Sequence, residues 1–192
     1  MEYKEKDLKQ TLIDVGITNF NRCGFKPVKV SEIAKQAKIA TGSFYKYFES
    51  KEELFWICYT VENERMKSTI IENMTFNDTP ERVIEQIIAL VFENTKDSKL
   101  LQEGIQSDFV QKKLNKTAKD FIQSSVFYKL FENLLLQWRS NGVIRDDISN
   151  DEILRMFIAL CILDVNQNAL DDPNYQQTIT HLFVALLNYI EK

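Results

Sequence analysis

Apolar residues recur along this chain at the 3.6-residue period of helices lying against a core, and turn-forming residues interrupt that period at short intervals. Residues 5–23 carry one stripe: Leu8, Leu12, Ile13, Val15, Ile17, Phe20 and Cys23. Gly24 follows where a helix favours a left-handed terminating residue. In 30–38, Val30, Ile33, Ala34 and Ala37 fall at i, i+3, i+4 and i+7, a short helix with a small-residue face. A second short segment, 41–48, puts Phe44 and Phe48 four apart on one side and Thr41, Ser43, Tyr45, Lys46 and Tyr47 on the others. Ser50-Lys51-Glu52-Glu53 reads as a capping box, Ser50 accepting from the first turn and Glu53 reaching back. It opens a helix expected to continue to about residue 74.

After a break at 76–80, Pro80 starts a helix over about 80–96, with Val83, Ile84, Ile87, Ile88, Val91 and Phe92 on a broad apolar face. Residues 98–114 suggest a short helix, a kink at 104–108 and another short turn. A long helix is predicted over 116–140, stopped by Asn141-Gly142. A second capping box, Ser149-Asn150-Asp151-Glu152, opens a helix over 150–170, and Asp172-Pro173 begins the last one. The expected architecture is all-α, with about nine helices: a three-helix domain in 1–53, its helix-turn-helix at about 29–48, and a larger helical domain in 54–192.

Composition adds bounds. At 192 residues, 44% hydrophobic and 27% charged, the chain is long enough to bury roughly 70% of its unfolded surface. Five glycines and three prolines are few, which suits helices. No apolar run reaches the ~20 residues that span a bilayer, and the first ten residues lack a signal-peptide core, so a cytoplasmic protein is expected. Cys23, Cys58 and Cys161 are scattered and His181 is the one histidine, which gives neither a metal-ligand spacing nor a disulfide framework. The cysteines read as small buried hydrophobes. No Gly-rich phosphate loop or nucleophile motif points to an enzyme, and no cofactor is expected.

The net charge of −4 is unevenly spread. Residues 1–51 hold ten Lys/Arg against six acids, a charge of +4, and the rest hold 14 against 22, a charge of −8. A basic head on an acidic body suits a protein that holds DNA at one end.

The ordered set Ile33-Ala34 with Ala37, then 41–48 (TGSFYKYF), then Ser50-Lys51-Glu52-Glu53-Leu54 resembles the helix-turn-helix of the tetracycline-repressor-like (TetR) family of bacterial regulators. The resemblance covers about residues 6–66. It departs in three places: Lys38 stands where the family has a turn glycine, Ala40 where a serine caps the recognition helix, and Val28-Lys29 where Thr or Ser opens the helix before it. The resemblance implies DNA contacts from Lys29, Ser31, Thr41, Gly42, Ser43, Tyr45, Lys46, Tyr47 and Lys51, with phosphates met by the lysines and groove edges by the hydroxyls and rings. It also implies an effector pocket in the body, for which Trp56, Tyr59, Met66, Phe92, Phe109, Phe127, Phe131, Trp138, Cys161 and Asp164 are candidates. The expected effector is small and hydrophobic, or cationic if Asp164 is its partner.

The last two predicted helices carry more apolar surface than one chain would cover, so a homodimer is expected. Phe157, Leu160, Asp164, Ile179, Leu182, Phe183, Leu186, Leu187 and Ile190 are its candidate interface. The combined expectation is a dimeric repressor released from a palindromic operator by a small molecule. The alternative is a DNA-bound regulator whose body recruits a protein partner.

Overall fold

The computed structural model describes residues 2–192. Among them are ten α-helices and one 3-10 turn: α1 (Glu2–Cys23), α2 (Val30–Gln36), α3 (Thr41–Phe44), α4 (Lys51–Asn73), α5 (Pro80–Asp97), α6 (Lys99–Gln106), α7 (Asp108–Ser124), α8 (Val126–Ser140), α9 (Asn150–Val165), a 3-10 turn at Gln167–Ala169, and α10 (Tyr175–Ile190). The chain divides into two compact units. One comprises Met1–Arg65 with Asn94–Val110, and the other Met66–Glu93 with Gln111–Lys192.

The first unit is built on α1, which packs against both α2 and α6. Its core holds Leu12, Phe20, Ile33, Ala34, Phe44, Phe48, Leu54, Phe55, Leu100 and Leu101, all at or near complete burial. Three rings meet at its centre, Phe20 and Phe55 edge to face at 5.1 Å and Phe25 against Phe55 at 4.9 Å. Gly16 leaves no room for a side chain, because a Cβ there would run into Cys58 Sγ. The second unit has a continuous core of α5, α8, α9 and α10 residues, including Val83, Leu135, Ile153, Ile179 and Ile190. There Phe131 stacks on Phe157 at 4.1 Å, and Arg139 fixes the 142–149 loop by donating to Asn150 Oδ1 and to the carbonyls of Arg145 and Ile148.

Where the helices break differs from expectation in three ways. The long helix predicted over 116–140 is two helices, because Ser125 leaves helical geometry and its hydroxyl accepts from the N–H of Phe127 to cap α8. The stop expected just before 116 survives only as a kink at Thr117 inside α7. Helix α9 ends at Val165 rather than near 170, since Asn166 turns the backbone into the 3-10 segment. The kink expected at 104–108 falls at Ser107, whose extended backbone separates α6 from α7.

Candidate functional site

Phe44 and Phe48 anchor the recognition segment. Both are buried, with their rings 5.4 Å apart, so the remaining residues of 41–47 are turned outward. Thr41, Gly42, Tyr45 and Lys46 are exposed, Tyr45 to 56%, while Ser43 and Tyr47 are half-buried. Helical geometry is shorter here than the 41–48 expected. Past Phe44 the chain tightens into i+3 bonds, Lys46 N–H to Ser43 C=O and Tyr47 N–H to Phe44 C=O. Lys29 and Ser31 are exposed at the start of α2.

The turn between α2 and α3 is left-handed even though glycine is missing: Lys38 has φ 59°. A side chain there costs about 1–2 kcal/mol relative to an unstrained residue. Neither α2 nor α3 has a side-chain cap, since Lys29 and Ala40 hold the capping positions. Replacing Ala40 with Ser is therefore expected to stabilise the protein by roughly 1 kcal/mol. A urea titration checks this, and an unchanged midpoint would show that the orphan N–H groups of α3 are already satisfied.

Ser50 and Glu53 form the expected capping contact in part. The Glu53 N–H donates to Ser50 Oγ at 3.1 Å, but the Glu53 carboxylate takes the N–H of Glu49 rather than that of Ser50. Lys51 is half-buried at the start of α4. Its ammonium donates to the carbonyls of Phe25 and Val28 at 2.9 and 3.0 Å and sits 4.0 Å from the centre of the Phe25 ring.

The effector candidates are divided between the units: Trp56, Tyr59 and Phe109 lie in the first, and Met66, Phe92, Phe127, Phe131, Trp138, Cys161 and Asp164 in the second. Several of them serve the core. Tyr59 is buried against Gly104, where a Cβ would overlap its ring, and Phe131 and Trp138 pack within the second unit's core. Within the second unit, Phe92, Phe127 and Asp164 lie beside polar side chains. Tyr175 donates its hydroxyl to Asp164 Oδ1 at 2.9 Å, and Phe92 lies 6.2 Å from the Tyr175 ring. Lys67 donates to Ser125 Oγ at 3.0 Å, with the Phe121 and Phe127 rings 5.5 and 5.7 Å from its nitrogen.

Burial raises the pKa of Asp164, a shift that its bond to Tyr175 and the nearby Lys67 only partly oppose. Burial, and then Asp164, pushes the Cys161 thiol up to about 12, and the Cys58 thiol is raised for the same leading reason, so neither is a reactive thiolate. Lys67, Tyr175, Phe121 and Ser125 were not among the expected residues. In the sequence Lys67 reads as one more charge on the polar side of a long helix.

Of the candidate dimer residues, Phe157, Ile179, Leu186, Leu187 and Ile190 are buried in the chain's own core, where α9 packs on α10. Leu160, Phe183 and Asp164 are half-buried, and Leu182 is exposed, as are Ile162 and Tyr189.

A short polar segment held outward on two buried aromatics, after a left-handed turn and a small-faced helix, defines a helix-turn-helix DNA-binding protein. Residues 12–56 match the model of the bacterial regulatory proteins of the tetR family. That match covers the helix-turn-helix region, and together with curated regulators of the same type it supports a TetR-family transcriptional regulator. The chain is 25% identical over 185 residues to the fatty acid metabolism regulator protein of Bacillus subtilis, covering 93% of this chain and 89% of that one. It is 29% identical over 146 residues to the HTH-type transcriptional regulator YerO of the same organism, covering 71% of this chain and 48% of YerO. The chain spans about a third to a half of the length of several other curated relatives, 32% in the case of YuxN. Among solved structures, RolR in complex with resorcinol superposes with a TM-score of 0.70 at 20% identity over 99% of this chain and 90% of RolR. FadR from Bacillus subtilis in complex with stearoyl-CoA gives 0.57 at 18% over 93% and 95%. No described helix is long and apolar enough to cross a membrane.

Proposed function

We propose that this protein is a cytoplasmic, dimeric transcriptional repressor that binds a palindromic operator and is released by a small apolar effector. The observation that carries the DNA-binding part is the outward display of Thr41, Gly42, Tyr45 and Lys46 on a back formed by buried Phe44 and Phe48. Lys29, Ser31, Ser43 and Tyr47 complete the contact surface. Two such segments about one turn of DNA apart, ~34–36 Å, would read two half-sites. Leu160, Ile162, Leu182, Phe183 and Tyr189 supply the face for a second copy, because Ile153, Phe157, Ile179, Leu186, Leu187 and Ile190 are already buried within the chain.

For the effector, the group around Phe92, Phe127, Cys161, Asp164 and Tyr175 supports an apolar molecule with few polar groups. Lys67 stands close enough to Asp164 to lower its pKa, so the carboxylate already has a cation near it. That favours an uncharged or acidic effector over a cationic one. Relatives that bind resorcinol in one case and stearoyl-CoA in another suggest two test compounds. Release would follow if the effector favours a conformation whose recognition segments no longer match the half-site spacing.

The test begins with selection of duplexes from a randomised pool by the wild-type protein. An enriched sequence with two-fold symmetry supports the operator reading, and unsymmetrical or absent enrichment overturns it. On the selected duplex, Tyr45→Ala is expected to weaken binding about tenfold, and Lys46→Ala to weaken it while lowering the salt slope by about 1 per protomer. Wild-type affinity in both variants, measured by fluorescence anisotropy, would remove them from the interface.

A further inference from the structure

We propose that Glu103 and Lys51 are positioning residues for DNA binding, gripping the 25–28 connector so that α2 and the turn behind it present the recognition segment. All the groups involved lie in the first unit. The N-terminus of α2 has no capping side chain, so nothing in its own sequence fixes where this seven-residue helix begins. Its far end is tied to α1 by a reciprocal amide pair: Asn19 Nδ2 donates to Gln36 Oε1 at 2.8 Å, and Gln36 Nε2 donates back to Asn19 Oδ1 at 3.2 Å. What fixes the near end is the connector.

At the connector's start, Gly24 ends α1 with φ 77°, its N–H donating to Phe20 C=O. Glycine is needed there twice, for the left-handed backbone and because a Cβ would collide with the Glu103 carboxylate. That carboxylate accepts the Phe25 N–H at 2.5 Å. The Phe25 carbonyl and that of Val28 accept from Lys51 Nζ. One connector residue is thus held at its N–H by an acid from α6 and at its C=O by an ammonium from α4.

Glu103 is itself held in place. Asn21 Oδ1 accepts from Ser98 Oγ at 2.9 Å and from Leu100 N–H at 3.2 Å, which pins the start of α6 to α1. The neighbouring Gly104 lets α6 close on the Tyr59 ring. Lys51 therefore acts through the backbone that orients α2, and not through a phosphate.

The experiment measures affinity for the selected duplex across a range of salt concentrations, at temperatures where circular dichroism shows each variant fully folded. Glu103→Ala removes a negative charge, so simple electrostatics would tighten DNA binding. Positioning predicts the opposite, a loss of about tenfold, the scale of one charge-assisted hydrogen bond. Glu103→Gln keeps an oxygen acceptor for the Phe25 N–H and is expected to stay within about threefold of wild type. Lys51→Met is expected to weaken binding with the salt slope unchanged.

Glu103→Ala binding as tightly as wild type, or more tightly, would overturn the proposal. So would a slope that falls by about 1 per protomer in Lys51→Met, the mark of a lost phosphate contact. A wild-type protein that enriches no duplex would sink the operator reading and this one with it, whereas the variant results bear on this one alone.

Discussion

Replacing Phe44 with alanine is expected to destabilise the protein by about 3–5 kcal/mol and to abolish DNA binding. Phe44 is fully buried, and its ring touches those of Phe48 and Tyr45 at 5.4 and 5.3 Å. It stands at the last residue of a four-residue helix that has no side-chain cap and follows a strained Lys38. Such a helix has almost no stability of its own, since nucleation alone is unfavourable at this length. Its position comes from the burial of Phe44 and Phe48, and truncating the first leaves a cavity that the second cannot fill. The loss is a large share of a typical total stability of ~5–15 kcal/mol. Chemical denaturation followed by circular dichroism measures it. A cost below about 1 kcal/mol would mean that local turns, and not the aromatic pair, hold the segment. Phe44→Leu, which keeps most of the volume, is expected to cost less than half as much.

The second large effect concerns Asp164. Asp164→Asn is expected to stabilise the protein at neutral pH by roughly 1–3 kcal/mol, because desolvation of this half-buried carboxylate outweighs its bond to Tyr175 and the nearby Lys67. The amide oxygen still accepts from the Tyr175 hydroxyl, so the hydrogen bond is kept while the partly desolvated charge goes. The pH dependence follows from the direction of the shift. Burial raises the Asp164 pKa above its ordinary 3.8, so the folded protein holds this proton more tightly than the unfolded chain does. The folded state is therefore penalised as pH rises from about 4 through the folded pKa, and the penalty is complete above it. Wild type and Asp164→Asn should differ least at the acid end of that window and most above it. Paired thermal melts across the range decide the matter, and a difference independent of pH would show that Asp164 titrates normally. Tyr175→Phe, which removes the carboxylate's donor, should move stability at neutral pH the other way.

How far the sequence could be read depended on whether a feature was local. The helix at Pro80, the 3.6-residue stripe of α1 with its terminating Gly24, and the paired Phe44 and Phe48 all follow from neighbours within a few positions, and the structure has them. The Ser125 break was hidden because Phe121, Ile122, Phe127, Tyr128 and Phe131 continue as an apolar pattern on both sides of it. Its reward is tertiary, a hydroxyl that caps Phe127 and accepts from Lys67, 58 residues earlier. The bonds of Lys51 were equally hidden: its position in a motif says nothing about two carbonyls more than 20 residues away. Glu103 had no local signature, and no periodicity links it to Phe25.

The first unit takes in Asn94–Val110 as well as Met1–Arg65, and this bears on how the protein is made. A ribosome that has released only the first 65 residues has delivered the whole helix-turn-helix sequence but not Ser98, Leu100 or Glu103, whose bonds to Asn21 and Phe25 span 77 to 79 positions. Closing so long a loop is slow compared with forming α1 or α4. The nascent head thus waits, partly assembled, until more than a hundred residues have emerged. For the same reason a gene fragment ending after α4 would encode the recognition residues without the bonds that set their connector.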